Sequence, residues 1–433
     1  MSARASERPE AGPPGPPAAA ARIDPLAGRR RNTGIALFVI GALTLLLFWR
    51  GIPDGARTIF SLTTPPAVRI PPLRVPARAF VLGLGIVGLL LGGAQLAWRR
   101  NRHVYLLLGL GIALFGIAFL AWAGKGQTLD VVGLLSASLI SAVPLALGAF
   151  SGLLCERSGV INIAIEGQFL VAAFVGAVLG SLTHHLWIGL VAGALSGGVI
   201  GFVLAVFTIT YKADQIVVGV VLDAFALGLT TFFSTSLLVP NQTTLNSPGT
   251  YLPFGIPLLD RIPIIGPVLF DQNIFVYIVM LLLIAIQVGL FRTRWGLRVR
   301  AVGEHPRAAD TVGIKVQRIR YGNVILGGIV AGIGGASFTI GSVGQFQPNM
   351  TAGLGYIALA AMIFGGWRPI GAVLAALLFG FADALQFTVS VLNVPIPPAF
   401  LSMIPYLATI FAVAGLVGRV VPPAADGKPY ARE

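Results

Sequence analysis

The chain has 433 residues, of which 56% are hydrophobic and only 11% are charged. Soluble domains carry about 25% charged residues, so this composition excludes a water-facing surface over most of the chain. The formal net charge of +14 does not indicate nucleic-acid binding, because the basic residues cluster between apolar segments, where they set the orientation of a membrane protein. Cys155 is the single cysteine, so an intrachain disulfide is excluded.

Apolar runs recur along the chain, and each is close to the length of about 20 residues that a helix needs to cross a bilayer. The first follows a Pro- and Ala-rich tail, residues 1–33, in which we recognise no cleavable signal peptide. We therefore predict an all-α integral membrane protein, a polytopic helical bundle of about 12 transmembrane spans. The predicted spans are 34–49, 79–98, 104–123, 129–153, 160–182, 186–209, 215–239, 273–291, 321–344, 354–366, 370–389 and 399–418. The run 354–366 is short, and it is predicted either to span the membrane or to re-enter it.

The distribution of Lys and Arg predicts a multi-pass protein of the plasma membrane with both termini cytoplasmic. In this orientation the basic segment 292–320 also faces the cytoplasm. The segment 50–78 is an exception, because it carries five arginines and yet falls outside. Its prolines exclude a helix, so we predict an ordered extracytoplasmic loop. Alternatively, this segment lies on the inner face, in which case residues 34–49 do not count as a transmembrane span.

The motifs of several enzyme classes are missing from the sequence. It has no HExxH or CxxC motif and no GxxxxGK[ST] phosphate loop. The four histidines fall near predicted span ends or in loops, so we predict neither an intramembrane catalytic pair nor a metal site. The chain cannot hydrolyse ATP through a phosphate loop, so active transport would take its energy from a partner or from an ion gradient.

Three acidic residues lie well within apolar segments: Glu166, Asp223 and Asp383. A bare carboxylate inside a bilayer costs several kcal/mol, so such residues face a cavity or a polar partner. Each of the three therefore either lines a transport pathway or makes a structural hydrogen bond between helices. The sequence leaves both alternatives open.

Small residues repeat every four positions in two of the predicted spans, which predicts close packing between helices. The two strips are Gly189, Gly193, Gly197 and Gly201, and Gly328, Gly332 and Ala336.

Local rules predict a short helix within the basic cytoplasmic segment. Pro306 suits the first position of a helix, where its missing N–H costs nothing. Gly313 suits a left-handed position just past the end of the helix. A short capped helix on the cytoplasmic face has the form of a docking element for another protein. The alternative is an amphipathic turn that faces lipid, although its faces are not strongly apolar.

Four separated segments resemble motifs of nucleoside and simple-sugar ABC importer permeases, within the branched-chain amino acid and ribose permease superfamily. Residues 152–167, GLLCERSGVINIAIEG, resemble the signature ERSGVxNIGxEG. Residues 303–313, GEHPRAADTVG, resemble the family's coupling helix and are termed the coupling segment below. Residues 214–219, DQIVVG, and 350–369, which end in WRP, are similar to two further family elements.

The resemblance implies a permease-like core over residues 129–420. It is preceded by a disordered cytoplasmic tail, 1–33, and by an accessory module, 34–128, of three extra N-terminal spans with the extracytoplasmic loop 50–78. Residues 421–433 would form a cytoplasmic tail. The implied partners are a second permease subunit, an ABC ATPase subunit that binds ATP, an extracytoplasmic solute-binding lipoprotein and the lipid bilayer, with no nucleic acid. The chain itself would be no enzyme and would need no cofactor. Transport would follow alternating access.

Residue roles follow from the same resemblance together with the polar positions noted above. The expected ATPase-coupling residues are Glu304, His305, Pro306, Arg307, Ala308, Ala309, Asp310, Thr311 and Gly313. The substrate-pathway candidates are Asn162, Glu166, Gln168, Gln215, Asp223 and Asp383. The sequence departs from the family at Asp214 and Asp223, where asparagine is expected, and at Gln168, where methionine is frequent. Departures that face the pathway would change solute preference relative to purine nucleosides.

Two other functional classes are alternatives to the permease. A cation-coupled secondary transporter would use Glu166 and Asp223 for the ion, and it would work without an ATPase. A membrane enzyme acting on lipids or polyprenyl carriers would need acids or histidines clustered at one membrane face. The outer segment 240–272 offers for this role only Asp260, Asp271 and amide side chains.

Overall fold

The computed structural model describes residues 27–65, 67–97, 104–392, 394, 396–397, 399–404, 406–407 and 421–431. Among them are ten helices long and apolar enough to cross a membrane, which confirms an all-α polytopic membrane protein. The number of about 12 spans is not confirmed. Leu354–Phe364 is an apolar helix of 11 residues, shorter than a bilayer-crossing helix. The predicted span 399–418 lies mostly outside the described residues.

The helices and strands, numbered in chain order, have the following bounds. The helices are α1 Ala27–Leu47, α2 Ala77–Ala97, α3 Val104–Ala123, α4 Val131–Glu156, α5 Ile165–Thr183, α6 Leu186–Ala205, α7 Gln215–Phe233, α8 Gln242–Leu245, α9 Ile274–Arg292, α10 Arg294–Glu304, α11 Pro306–Thr311, α12 Val316–Phe338, α13 Leu354–Phe364, α14 Pro369–Val391 and α15 Ala399–Ser402. The strands are β1 Arg57–Ser61, β2 Leu73–Pro76, β3 Thr128–Asp130, β4 Phe254–Gly255 and β5 Asp271–Gln272.

The chain divides into two compact units. The described residues of Met1–Ile59 and Arg74–Leu129 form the first, in which α1, α2 and α3 pack together. Gly41 lies against α2 so closely that a Cβ atom there would be 2.8 Å from the carbonyl carbon of Gly88. An ion pair joins Arg78 to Asp54 in the same unit.

The described residues of Phe60–Leu73 and Asp130–Glu433 form the second unit, and α12 lies in its interior. The two predicted glycine strips face each other, on α6 and α12. A Cβ atom added to Gly197 would lie 2.6 Å from the Cα atom of Gly332, and one added to Gly201 would lie 2.9 Å from the carbonyl oxygen of Val324. The close packing predicted from the small-residue repeats is therefore confirmed.

The outer segment, residues 240–272, contains the short strands β4 and β5. β4 and β5 pair antiparallel, with Phe254 opposite Gln272 and Gly255 opposite Asp271. The Asn273 side chain then caps α9 by accepting a hydrogen bond from the Phe275 N–H at 3.2 Å. At the opposite end of α9, Thr293 caps α10, which leads directly into the coupling segment.

Candidate functional site

The signature loop, residues 157–164, connects α4 to α5 without helical structure. The Asn162 amide donates hydrogen bonds to Ser151 Oγ at 3.0 Å and to Gln168 Oε1 at 3.2 Å. The Gln215 side chain on α7 accepts the Ile161 N–H at 2.7 Å. These contacts explain why α5 begins at Ile165 and not near residue 160, because the backbone and side chains of the loop bond outside a helix.

Glu166 lies in the first turn of α5 and is buried. One carboxylate oxygen accepts hydrogen bonds from Thr351 Oγ1 at 2.6 Å and from the Gly353 N–H at 2.7 Å. The other accepts the Gly355 N–H at 2.7 Å. The carboxylate thus binds the otherwise unpaired N–H groups at the start of α13, where a negative charge is also favoured by the helix dipole.

Asp223, on α7, is also buried and also bonded within the protein. Its Oδ1 accepts the Gly167 N–H at 2.7 Å, and its Oδ2 accepts the Tyr356 hydroxyl at 2.8 Å. Asp223 therefore connects α7 to both α5 and α13. This geometry favours the alternative in which Glu166 and Asp223 make structural hydrogen bonds between helices.

The coupling segment has the local structure that its sequence predicts. α11 begins with Pro306 at its first position, and Gly313 has a φ of 83° just beyond its C-cap. Ala309 is buried against Val302 and Val316. The exposed residues of the segment are Glu304, His305, Arg307, Ala308, Thr311, Val312 and Gly313.

The coupling segment contacts the signature loop directly. A Cβ atom on Gly303 would lie 2.9 Å from the carbonyl carbon of Arg157, so no larger residue fits there without movement of backbone. The Arg157 guanidinium donates to the carbonyl oxygen of Trp367 at 2.6 and 3.0 Å. The Trp367 indole donates to Glu156 Oε2 at 2.6 Å. Because Gln215 of segment 214–219 also bonds to Ile161, all four family-like segments meet at the signature loop.

The C-terminal segment, residues 421–431, packs on the same face, and the sequence did not predict these contacts. The Ala425 N–H donates to the carbonyl oxygen of Gly303 at 2.9 Å, and the Tyr430 hydroxyl donates to Asp310 Oδ2 at 2.9 Å. Between this segment and the coupling segment runs a groove of about 610 Å³. Gly427 has a φ of 72° where the segment turns back. The glycine itself was the signal in the sequence that could have indicated this turn.

Asp426 is the acidic residue of the C-terminal segment 421–431. Burial raises its pKa to about 6, although the nearby Glu156 hydrogen bond and the Arg320 guanidinium lower it. Arg320 also donates to the carbonyl oxygen of Lys428 at 3.0 Å. The segment is therefore held both by backbone hydrogen bonds and by a cluster of charged side chains.

A second feature is a cavity of about 370 Å³ within the second unit. It is lined by residues of α4, α9, α12, α13, α14 and α15, among them Asp383. Asp383 accepts a hydrogen bond from Ser141 Oγ at 2.8 Å. Of the six substrate-pathway candidates, Asp383 lines this cavity, whereas the other five belong to the buried contacts described above. Gln386 and Tyr406 also line it and were missed by the sequence analysis.

No group of three or more His, Cys, Asp or Glu side chains in the described part of the chain could hold a metal ion. The spans, the contact between the coupling segment and the C-terminal segment, and the cavity indicate a multi-pass helical membrane protein of the transporter class.

Comparison with known proteins gives the family. The sequence matches the family described as branched-chain amino acid transport system / permease component over residues 134–413. It is 39% identical over 317 residues to the guanosine ABC transporter permease protein NupQ of Bacillus subtilis (strain 168), which covers 70% of this chain and 98% of the relative. No solved structure matches the chain.

Two further relatives are also named as ABC transporter permease proteins. The nucleoside ABC transporter permease protein NupC of Lactococcus lactis subsp. cremoris (strain MG1363) is 38% identical over 303 residues, 67% of this chain and 94% of the relative. The guanosine ABC transporter permease protein NupP of Bacillus subtilis (strain 168) is 24% identical over 369 residues, 81% of this chain and 97% of the relative.

This chain belongs to the branched-chain amino acid transport system permease family. It is an ABC importer permease and not an enzyme, and ATP binds to the partner ATPase and not to this chain. No finding supports the cation-coupled alternative.

Proposed function

We propose that the chain imports nucleosides or related sugar-containing solutes across the plasma membrane, as one of two permease subunits. An extracytoplasmic lipoprotein delivers the solute, and a separate ATPase drives alternating access through the coupling segment. The relatives named for guanosine or nucleosides support this solute class, since the two at 38 and 39% identity align over 94% or more of their own lengths.

The observation that carries the proposal is the direct attachment of the coupling segment to the membrane helices. α11 exposes Arg307 and Ala308 on its outer side, while Ala309 packs inward. Gly303 lies against the carbonyl group of Arg157, which follows the last residue of α4. A displacement of α11 by a bound ATPase would therefore reach α4, whose middle lines the cavity.

The coupling segment and the C-terminal segment are in contact, so they lie on one face of the membrane. The positive-inside rule assigns the cytoplasm to this face, because the surrounding segment 292–320 is rich in arginine. The proposed orientation places both termini there. We further propose that residues 34–128 are an accessory module added to the core 129–420.

We propose that the second permease is a different protein. Two permease proteins of Bacillus subtilis carry the guanosine name, and this chain is 39% identical to NupQ but 24% identical to NupP. We propose that Asp383 meets the solute at the cavity, whereas the other candidates, Asn162, Glu166, Gln168, Gln215 and Asp223, act on the pathway indirectly, through the buried contacts that connect its helices.

The test is to replace the exposed basic residue of α11 with Arg307→Ala in the assembled transporter. We expect normal membrane abundance, weaker co-purification of the ATPase and slower ATP-driven solute uptake. Arg261→Ala, in the outer segment, is the matched control and should leave ATPase co-purification and solute uptake unchanged. Unchanged uptake and ATPase retention in Arg307→Ala would remove the docking role of the coupling segment.

A further inference from the structure

Asp383 is deep within α14, yet its side chain is exposed. At about 1.5 Å per residue, it lies about 21 Å along the helix from Pro369. Among the described residues, Ser141 is its hydrogen-bond donor, and this single bond leaves most of the acceptor positions of the carboxylate unoccupied by protein. An acidic residue inside a membrane is costly unless it faces water or a ligand, so this position indicates a binding function.

The chemistry of the cavity around Asp383 limits what can bind. Gln386 follows three residues later on the same helix face and also lines the cavity. The described lining contains no Lys or Arg, so nothing there compensates the charge of an anionic solute. Phe338 and Phe379 supply flat apolar walls. The volume of about 370 Å³ falls within the range of about 300–1,000 Å³ typical of small-molecule sites.

The cavity lies in the half of the bundle away from the coupling segment. α4 runs from Val131 to Glu156, and the next residue, Arg157, meets the coupling segment at Gly303. Ser141 lies about 15 Å from the opposite end, at about 1.5 Å per residue. The cavity is therefore placed to receive a solute from the face opposite the ATPase.

We propose that Asp383, together with Ser141 and Gln386, determines solute specificity by accepting hydrogen bonds from neighbouring hydroxyl groups of a sugar ring. This inference rests on the proposed function. A carboxylate offers acceptors and no donor, so it suits the hydroxyl donors of a ribosyl group. It repels phosphate groups, so the cavity takes uncharged hydroxylated solutes and rejects nucleoside monophosphates.

The test compares solute discrimination in the full transporter before and after Asp383→Asn. Uptake of adenosine and of 2′,3′-dideoxyadenosine is measured with the same receptor and ATPase, so a change in their ratio reports on the permease alone. We expect the preference for adenosine to fall by about tenfold or more, as for loss of a charge-assisted hydrogen bond. Uptake of ribose, measured in parallel, distinguishes recognition of a free sugar from recognition of a nucleoside.

Asp271→Asn in the outer segment is the matched control and should keep the wild-type ratio. Where Asp383→Asn lowers uptake below detection, equilibrium binding of both labelled adenosine analogues to the purified complex supplies the ratio. An unchanged ratio in Asp383→Asn overturns this inference while leaving the proposed function intact. A wild-type transporter that carries neither nucleosides nor ribose with ATP refutes the proposed function itself.

Discussion

The strongest structural prediction concerns the buried carboxylate of Glu166. It accepts three hydrogen bonds, from Thr351 Oγ1 and from the N–H groups of Gly353 and Gly355. Glu166→Ala leaves all three donors without a partner. A buried unsatisfied donor costs about 1–3 kcal/mol, so the predicted loss of stability is about 3–9 kcal/mol.

Two milder variants should show smaller losses of stability at the same site. Glu166→Gln places an amide nitrogen opposite at least one of the N–H donors, so it should lose about 1–3 kcal/mol. Thr351→Val removes one donor and leaves the other two bonds of Glu166 in place, so its cost should be the smallest, about 0.5–1.5 kcal/mol.

The assay is the thermal stability of the purified chain in lipid nanodiscs, followed by solute uptake for the variants that fold. The expected order of stability is wild type, Thr351→Val, Glu166→Gln and then Glu166→Ala. If Glu166→Gln kept wild-type stability and changed solute preference, the structural interpretation of Glu166 would be wrong and the pathway alternative would stand.

Two further predictions concern the α6–α12 contact and the C-terminal segment. Gly197→Leu should abolish folded protein in the membrane, because its Cβ atom would lie 2.6 Å from the Cα atom of Gly332. The control Gly228→Leu, with no atom within 4 Å of its Cβ, should express normally. Equal yields of the two variants in the membrane would contradict the close packing of α6 on α12. Burial raises the pKa of Asp426 to about 6, so the folded protein binds this proton more tightly than the unfolded chain does. Docking of the segment should strengthen as pH falls from 7 to 5, measured as protection from protease, and Asp426→Asn should remove that dependence; an undiminished dependence would exclude Asp426 as its source.

Much of the fold follows from patterns that are local in sequence. Apolar length predicts the spans, and Pro306 and Gly313 predict the two ends of α11, because both effects depend on backbone geometry within a few residues. The glycine strips predict close contact between helices, because spacing by four residues places small side chains on one face.

The contacts that decide the role of each acidic residue are not local. Glu166 bonds to Thr351 at a separation of 185 residues, and Asp223 bonds to Tyr356 at a separation of 133 residues. A single sequence does not reveal which helix faces meet, so the structural and pathway alternatives could not be separated there. The C-terminal segment was missed for the same reason, since the residues that it contacts, among them Gly303 and Arg320, lie far earlier in the chain.

The central claim is that a separate ATPase drives this permease through the coupling segment. The most direct measurement is uptake of labelled adenosine into proteoliposomes that contain the permease pair and receptor, with and without the ATPase subunit. We predict accumulation against a gradient that requires both the ATPase and ATP and is unaffected by an uncoupler. Accumulation without the ATPase, abolished by an uncoupler, would contradict the claim.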